Sequence, residues 1–414
     1  MHTNRIQILG RRTAALAFAA ILALTAFGAA AEKKEIEVGL IAPMSGPWAR
    51  QGQVMKVAAD LAIESINQQG GIKSMGGARL KLVVFDAGDS VEKAKNAAQR
   101  MVADAPDLVI ATGAYLSSFT LAVTEVTERA QLPMLTFSYS DQITARGFKY
   151  VFQTSATGDQ QAEGSLPALL DMAEKAVGKR PKTVGIVMDN TAASVAFVKP
   201  IRATQLDKLG LKLVVDETFT PPLANATPLI QRVRSQRPDI LLLLPTAISD
   251  AKLLLEKMNE FGLGRGRLPT ISNGAAILDP DLRANMNVEQ LEGVMSVVAD
   301  WTTSAQKDMV EDFKKKTNEP WATQHFMTTY GDMWIFKAAL EAAGKADREA
   351  VAQALRKMDL TTGPARYFPG GRVKFDERGR RVGATLLIVQ WQNGVPVTVY
   401  PAKEALAKPI WPTQ

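Results

Sequence analysis

The sequence contains no cysteine and only two histidines, His2 and His325. The lack of cysteine excludes a disulfide framework, a thiolate zinc site, an iron–sulfur cluster and a cysteine nucleophile. Because histidine carries out much of the acid–base and metal chemistry near neutral pH, its scarcity argues against a histidine-dependent hydrolase. The sequence also has no G-x-S-x-G nucleophile motif and no cluster of metal-ligating residues, so we expect neither a resident metal nor a cofactor.

The first 31 residues have the three-part pattern of an export signal. Three arginines, Arg5, Arg11 and Arg12, precede an uncharged run over residues 13–27, and alanines at 29–31 supply the small residues that cleavage requires. A membrane anchor needs ~20 apolar residues, and this run is shorter. We therefore predict cleavage near Ala31 and export of the chain, with the twin-arginine route and a buried N-terminal helix as alternatives.

The overall composition is that of an ordinary globular protein, with 46% apolar and 22% charged residues. A length of 414 residues favours two domains, or three. The formal net charge of +7 falls to +4 once the signal, with its three basic and no acidic residues, is removed. Because nucleic-acid binding needs a clustered basic face, and the longest basic run is three lysines at 314–316, no nucleic acid partner is expected.

Short apolar runs alternate with amphipathic stretches along the chain. The first run, residues 36–41, predicts a buried strand, and Met55, Ala58, Ala62 and Ile66 follow at the spacing of a helix. Further strands are predicted at 80–85, 108–112, 133–137, 183–188, 211–215, 239–244, 268–272 and 294–298. This alternation is typical of parallel sheets that are covered by helices on both faces.

The alternation restarts after a polar stretch at 153–161, so the chain contains two α/β units of similar length. Helices are then predicted at 305–317, 325–343 and 348–358, and short strands at 372–375, 385–391 and 395–400. The predicted fold class is therefore α/β, with two doubly wound parallel-sheet lobes.

Ligands of open α/β sheets bind beyond the carboxyl ends of the strands, so the loops at these ends are the candidate site. These loops contain hydroxyls, amides and glycines, and few charged residues. They are 42–48, 113–118, Ser138-Tyr139-Ser140, 190–192, 246–249 and 272–274. Hydroxyls and backbone N–H groups suit the recognition of a small anion better than they suit catalysis.

Ser117 and Ser118 open a helix that is predicted to run through Glu128. The free amides and the dipole at such a helix start attract an anion. Charge-assisted hydrogen bonds contribute ~1.5–3 kcal/mol each, so three or four of them offset the cost of desolvating one carboxylate. The alternative is that either serine is only an N-cap.

Several other residues allow two interpretations. Asp189 ends a strand and is expected either to face a ligand ammonium or to cap the next helix. Trp48 and Tyr115 either wall a pocket or pack under a loop, and His325 either lines the pocket or is structural. The glycine-rich segment 262–266 follows a helix and precedes a strand, so it predicts a helix end and a turn, not a phosphate loop.

With these pieces placed, the chain resembles the leucine/isoleucine/valine-type periplasmic binding proteins of ABC importers. The resemblance covers essentially all of the chain after the signal and depends on the order of its motifs. They are GLIAPMSGP at 39–47, INQQGGI at 66–72, FQT at 152–154, DQQ at 159–161, TTY at 328–330, FDERG at 375–379 and QWQNG at 390–394. The resemblance implies two lobes joined by three crossover segments, with the ligand in the cleft between them.

The resemblance also implies roles for individual residues. Ser117 matches the hydroxyl and amide that hold the ligand carboxylate, and Ser138 and Ser140 match the loop that contacts carboxylate and ammonium. Trp48 and Gln51 lie in the first-loop segment that touches the ligand side chain. The implied division assigns residues 32–153 and 300–362 to lobe one, and 154–299 and 363–414 to lobe two.

The second lobe departs from the pattern of amino-acid-binding members. Those members commonly have Tyr-Gly where this chain has Ala193-Ser194, an acidic residue near Asn273, and an aromatic residue near Thr246. These differences weaken an ammonium site and open the cleft. They favour a carboxylate or amide ligand without an ammonium over an amino acid. The resemblance as a whole implies a broader class, which includes amino acids and aromatic or other organic acids.

The leading hypothesis is an exported solute-binding protein of an ABC importer, monomeric, that works with a membrane permease and an ATPase and has no catalytic activity. An alternative keeps the fold but makes the protein a ligand sensor that signals to a partner. A third hypothesis is a secreted hydrolase that uses Ser and Asp with His325 as the base. The sequence does not name the ligand.

Overall fold

A computed structural model describes residues 34–411. The predicted export signal lies outside the described residues. Within the described range, no helix combines the length and the apolar character that crossing a membrane requires.

The first lobe is built on a five-stranded sheet in the order β2-β1-β3-β4-β5, with all neighbours parallel. Because helices cover both faces of this sheet, both faces of the central strand β1 are buried, which explains the continuous apolar run that predicted it. The fifth strand was not predicted. The strands are β1 (Glu35–Ala42), β2 (Arg79–Asp86), β3 (Ala111–Gly113), β4 (Met134–Thr136) and β5 (Val151–Gln153).

The second lobe is built on a seven-stranded sheet in the order β14-β13-β10-β9-β8-β6-β7. Strands β6 to β10 pair in parallel, whereas β13 pairs antiparallel with both β10 and β14. The second sheet is therefore mixed, and the tail forms a hairpin at its edge. The strands are β6 (Thr183–Asp189), β7 (Lys212–Phe219), β8 (Ile240–Leu244), β9 (Thr270–Asn273), β10 (Met295–Val298), β13 (Leu387–Gln392) and β14 (Val395–Tyr400), while β11 (Asp359–Leu360) and β12 (Val373–Lys374) pair separately.

Helices cover both faces of each sheet, and each face has its own apolar core. In the first lobe, the core on one face includes Met55, Ile335 and Val351, and that on the other includes Ala98 and Val123. The helices are α1 (Ala49–Gln68), α2 (Val91–Asp104), α3 (Ser117–Arg129), α4 (Gln142–Ala145), α5 (Gly158–Val177), α6 (Ala192–Pro200), α7 (Leu206–Leu209), α8 (Thr227–Gln236), α9 (Ile248–Glu260), α10 (Pro280–Asn285), α11 (Lys307–Thr317), α12 (Gln324–Ala343) and α13 (Arg348–Lys357).

The chain passes between the sheets three times: after β5, after β10 and between β12 and β13. The buried Arg381 holds the third passage to the first, because its Nε donates to the carbonyl oxygen of Thr154 at 2.6 Å. Phe368 and Phe375 pack in the core of the first sheet. This packing places the third passage after Phe375, whereas the sequence-based division assigned residues 363–414 to the second lobe.

Candidate functional site

A pocket lies between the two lobes at the carboxyl ends of their strands, as open α/β sheets predict. The space between the walls, counted together with its opening to solvent, is about 450 Å³. The wall from the first lobe consists of residues 115–117, 137–139 and Gln324, and the wall from the second lobe consists of residues 193–194, 245–246 and 273–276. None of these lining residues is charged.

The first wall depends on an unusual stretch of backbone between β3 and α3. Gly113, Ala114 and Tyr115 all have positive φ angles, of 122°, 64° and 53°. Non-glycine residues rarely adopt this region, and such strain collects at functional sites. This stretch places Leu116 at the N-cap position of α3. Because a leucine side chain cannot accept a hydrogen bond, the first amides of the helix have no side-chain partner.

The hydroxyl of Ser117 is oriented by the neighbouring loop. It accepts hydrogen bonds from the backbone N–H of Tyr139 at 3.0 Å and of Ser140 at 3.1 Å. These two bonds use both acceptor positions of the oxygen. The hydroxyl can therefore only donate to a ligand, and a donor beside free helix amides selects an anion.

The second wall brings another helix start to the same pocket. Residues Ala193 and Ser194 in the first turn of α6 line the pocket. The N–H of Ala192, the first residue of α6, donates to Oγ of Ser118 at 3.2 Å, so the N-termini of α3 and α6 meet across the cleft. Both ends carry partial positive charge.

The carboxylate nearest this wall belongs to Asp189, and each of its two oxygens already accepts two hydrogen bonds. One oxygen accepts from the N–H and the hydroxyl of Thr191 at 3.1 and 2.7 Å, and the other accepts from the N–H and the hydroxyl of Thr246 at 2.8 and 2.7 Å. Asp189 is buried and does not line the pocket. The structure therefore gives no support to contact with a ligand ammonium, and it also assigns the N-cap of α6 to Thr191 instead of Asp189. The carboxylate of Asp189 links Thr191 to Thr246.

Gln324, the first residue of α12, is a lining residue that the sequence did not indicate. Its Oε1 accepts from the hydroxyl of Tyr139 at 2.5 Å and from the N–H of Ala299 at 3.3 Å. These bonds fix its amide group, and its Nε2 lies 4.0 Å from the position of a Cβ on Gly274 in the opposite wall. Only the fold brings Gln324 here, since it lies more than 180 residues from Tyr139 in the chain.

Comparison with known proteins identifies the family. A sequence model of the periplasmic binding protein family matches residues 35–395. The chain belongs to this family. It is similar to a Leu/Ile/Val-binding protein homolog of Brucella suis, with 27% identity over 401 residues that cover 94% of this chain and 95% of the relative.

Solved structures share the two-lobed fold of this periplasmic binding protein. A leucine-binding protein from Thermotoga maritima superposes with a TM-score of 0.73 and 21% identity, covering 88% of this chain and 97% of the other. A solute-binding protein of an R. palustris ABC transporter, solved in complex with benzoate, superposes with a TM-score of 0.73 and 17% identity, covering 91% and 98%. The predicted fold class is confirmed.

Six of the predicted site residues line the pocket of this periplasmic binding protein, and one of them was expected to contact the ligand carboxylate but uses its hydroxyl within the first lobe. That residue is Ser138, whose Oγ donates to the carbonyl oxygen of Tyr115 at 2.8 Å and is paired with Oγ1 of Thr120 at 2.6 Å. Its hydroxyl supports the loop and is not free for a ligand. The six residues are Tyr115, Ser117, Ser138, Tyr139, Thr246 and Asn273.

The other predicted site residues lie outside this lining. Ser140 accepts from the N–H of Gln142 at 3.4 Å, and Ser118 bridges to α6 as described. Trp48 and Gln51 are buried, and the ring of Trp48 lies 5.7 Å from that of Phe119. Their contact with the ligand stays a prediction.

His325 lies behind Tyr115, with 5.0 Å between the ring centroids. Burial lowers the pKa of His325 to about 3, so the ring is uncharged at neutral pH. Because His325 does not line the pocket, this geometry gives no support to a hydrolase that uses it as the base. In residues 34–411, no group of three or more His, Asp or Glu side chains is arranged to hold a metal ion.

The lobes also contact each other at the edge of the pocket. The hydroxyl of Tyr115 donates to the carbonyl oxygen of Thr246 at 3.0 Å. Arg50 of α1 pairs with Glu319 at 2.6 Å and, across the cleft, with Asp279 at 3.8 Å and Asp281 at 3.6 Å. The structure therefore shows the cleft with its two walls in contact.

Proposed function

We propose that this protein is the periplasmic substrate-binding component of an ABC importer and that it captures a small organic monocarboxylate without reacting with it. The observation that carries this proposal is the state of the Ser117 hydroxyl. Both of its acceptor positions are used, so it can only donate a hydrogen bond, and it lies at the uncapped start of α3. Family membership supports the transport role.

The absence of charge from the lining favours a carboxylate over a zwitterionic amino acid. An ammonium taken out of water needs a carboxylate or several acceptors to offset several kcal/mol of desolvation, and the carboxylate of Asp189 is already saturated. A carboxylate needs only donors, and the two helix starts supply them. Both ligand classes occur among the similar structures, which include complexes with isoleucine and with benzoate.

We infer that binding proceeds by hinge closure. The ligand carboxylate docks on the first lobe at Ser117, and the second lobe then closes and adds its own contacts. Only contacts made in the closed form shift the equilibrium toward it. The pairs Tyr115–Thr246, Ser118–Ala192 and Arg50–Asp279 are of this kind, and the closed form is the one that a permease would recognise.

The test is calorimetric titration of the mature protein, cleaved near Ala31, with benzoate, 4-hydroxybenzoate, 4-methylpentanoate and leucine. A ligand at 100 times its Kd also stabilises the fold by ~2.7 kcal/mol, which allows screening by thermal shift. We expect at least one of the acids to bind and Ser117→Ala to weaken it about tenfold or more. Ser235→Ala, in α8 of the second lobe, is the matched control and leaves the affinity unchanged.

Two results would contradict the proposal. Binding of leucine without binding of any acid that lacks an ammonium would show that the ammonium is recognised after all. An affinity unchanged by Ser117→Ala would remove the carboxylate from the start of α3.

A further inference from the structure

The side-chain amide of Asn273 ends strand β9 and faces the pocket from the second lobe. Its Nδ2 donates to Oε1 of Gln161 at 2.8 Å and to the carbonyl oxygen of Val297 at 3.2 Å. Gln161 lies in the first turns of α5 and is fully buried. Both donor hydrogens of Asn273 are therefore directed into the lobe, away from the cleft.

The direction of these bonds is fixed by backbone carbonyls, which can only accept. Nε2 of Gln161 donates to the carbonyl oxygen of Ala156 at 2.8 Å, so its Oε1 is the atom left to face Asn273. The carbonyl of Val297 imposes the same orientation independently. Rotating the amide of Asn273 by half a turn would place its Oδ1 against two acceptors, and amide orientation follows from such a network.

We infer that Gln161 and Val297 hold Asn273 so that Oδ1 is presented to the ligand as an uncharged acceptor, and that the ligand carries a neutral O–H or N–H donor besides its carboxylate. The inference rests on the proposed function and adds the second polar group of the substrate. Within residues 34–411, Oδ1 of Asn273 receives no hydrogen bond. Because Asn273 lines the pocket, a ligand that shields Oδ1 from water without supplying a donor leaves this acceptor unpaired, which is costly, so a ligand that supplies a donor is preferred.

The surroundings of Asn273 favour a small, neutral donor. Gly274 follows it with a φ of +94°, and a Cβ there would lie 3.9 Å from the ring of Tyr139 in the opposite wall. The two walls are therefore close to each other beside the amide, which leaves space for a small group such as a hydroxyl. No carboxylate lines this part of the pocket to balance a cation.

The experiment compares pairs of acids that differ in one hydroxyl: 2-hydroxy-4-methylpentanoate against 4-methylpentanoate, and 4-hydroxybenzoate against benzoate. In the pair that binds, we expect the hydroxylated acid to bind the wild type about tenfold more tightly. Asn273→Leu removes the acceptor and brings the ratio of the two dissociation constants close to one. Asn273→Asp keeps an acceptor but places its second oxygen against Oε1 of Gln161 and the carbonyl oxygen of Val297, so we expect both acids to bind more weakly and the ratio to fall.

Gln161→Met tests the positioning role. It removes the bond that orients Asn273 but leaves the pocket lining unchanged, and we expect the ratio to fall severalfold. A merely structural role for Gln161 would weaken both acids equally and leave the ratio unchanged. Thermal unfolding of each variant checks that it folds, and Asn273→Leu carries the test if Gln161→Met does not fold.

The outcomes separate this inference from the proposed function. If none of the four acids binds, the proposed function fails. If acids bind but the wild type does not distinguish the members of either pair, or if Asn273→Leu and Gln161→Met leave the ratio unchanged, the inference is overturned while the proposed function stands.

Discussion

The two walls of the pocket are both uncharged, but they reach this state differently. In the first wall, the backbone determines which groups face the ligand. Two amides orient Ser117, and the left-handed conformations of Ala114 and Tyr115 expose the start of α3. In the second wall, a carboxylate is present directly behind the surface, and Thr191 and Thr246 consume its hydrogen-bonding capacity. What a wall offers a ligand is therefore the set of groups left unpaired after folding.

The largest expected effect comes from the carboxylate behind the second wall. Asp189→Asn replaces an acceptor oxygen with an NH₂ group that faces donors, so we expect the free energy of unfolding to fall by about 3 kcal/mol. Chemical denaturation measures this, and Asp312→Asn, at an exposed position of α11, is the control. Loss of ligand affinity with unchanged stability would instead make Asp189 a ligand contact and remove the difference between the walls.

A buried carboxyl supports the first wall and makes its stability depend on pH. Oδ2 of Asp332 accepts from the hydroxyl of Thr112 in β3 at 2.6 Å, and burial raises the pKa of Asp332 to about 7. A carboxyl whose pKa is raised on folding stabilises the fold at low pH, and this contribution is lost as the pH rises through 7. Asp279, whose pKa burial also raises to about 7, acts in the same direction.

Asp332→Asn isolates this effect. Between pH 5 and pH 7, we expect the unfolding free energy of the wild type to fall by about 2 kcal/mol relative to the variant, at ~1.4 kcal/mol per unit of pKa shift. Denaturant titrations at several pH values measure the difference. Parallel pH profiles for the two proteins would show that Asp332 has an ordinary pKa.

The ion pairs of Arg50 join the two walls, so they should affect binding more than folding. We expect Arg50→Gln to weaken ligand binding about fivefold to tenfold and to reduce its dependence on salt, since the pairs with Asp279 and Asp281 form only when the lobes meet. Arg180→Gln is the matched control, because Arg180 makes two ion pairs within one lobe. Equal effects of the two variants would argue that Arg50 does not act in closure.

The smallest expected effect is that of one neutral hydrogen bond between the walls. Tyr115→Phe removes the bond to the carbonyl of Thr246 and should weaken ligand binding about threefold to fivefold, or ~1 kcal/mol. Tyr150→Phe is the control, since the Tyr150 hydroxyl bonds to Glu349, away from the cleft. Tighter binding by Tyr115→Phe would show that this bond opposes closure.

The sequence predicted most of the fold because parallel strands buried on both faces leave apolar runs that are easy to recognise. It missed β5, which has only three residues and ends in the polar Gln153. The point at which the chain makes its third passage between the lobes depends on where Phe375 packs. The local sequence pattern does not indicate this point, because the packing involves residues that are distant in the chain.

The site was predictable where it depends on strand ends, and unpredictable where it depends on partners that are distant in the chain. Ser117 comes shortly after a strand and Asn273 ends one, and both were chosen as candidates and line the pocket. Whether the carboxylate of Asp189 is available to a ligand depends on Thr246, which lies 57 residues away in the chain and donates to it. Gln324 begins a helix with no local sign of a pocket, and only the return of the chain to the first lobe reveals it.

The meeting of α3 and α6 at their N-termini makes closure of the cleft sensitive to the charge of the ligand. Each helix start is equivalent to roughly half a positive elementary charge, so two of them brought together repel. A bound carboxylate between them converts that repulsion into attraction on both sides. A negatively charged ligand would therefore favour closure of the cleft, and an uncharged analogue of the same shape would favour it less.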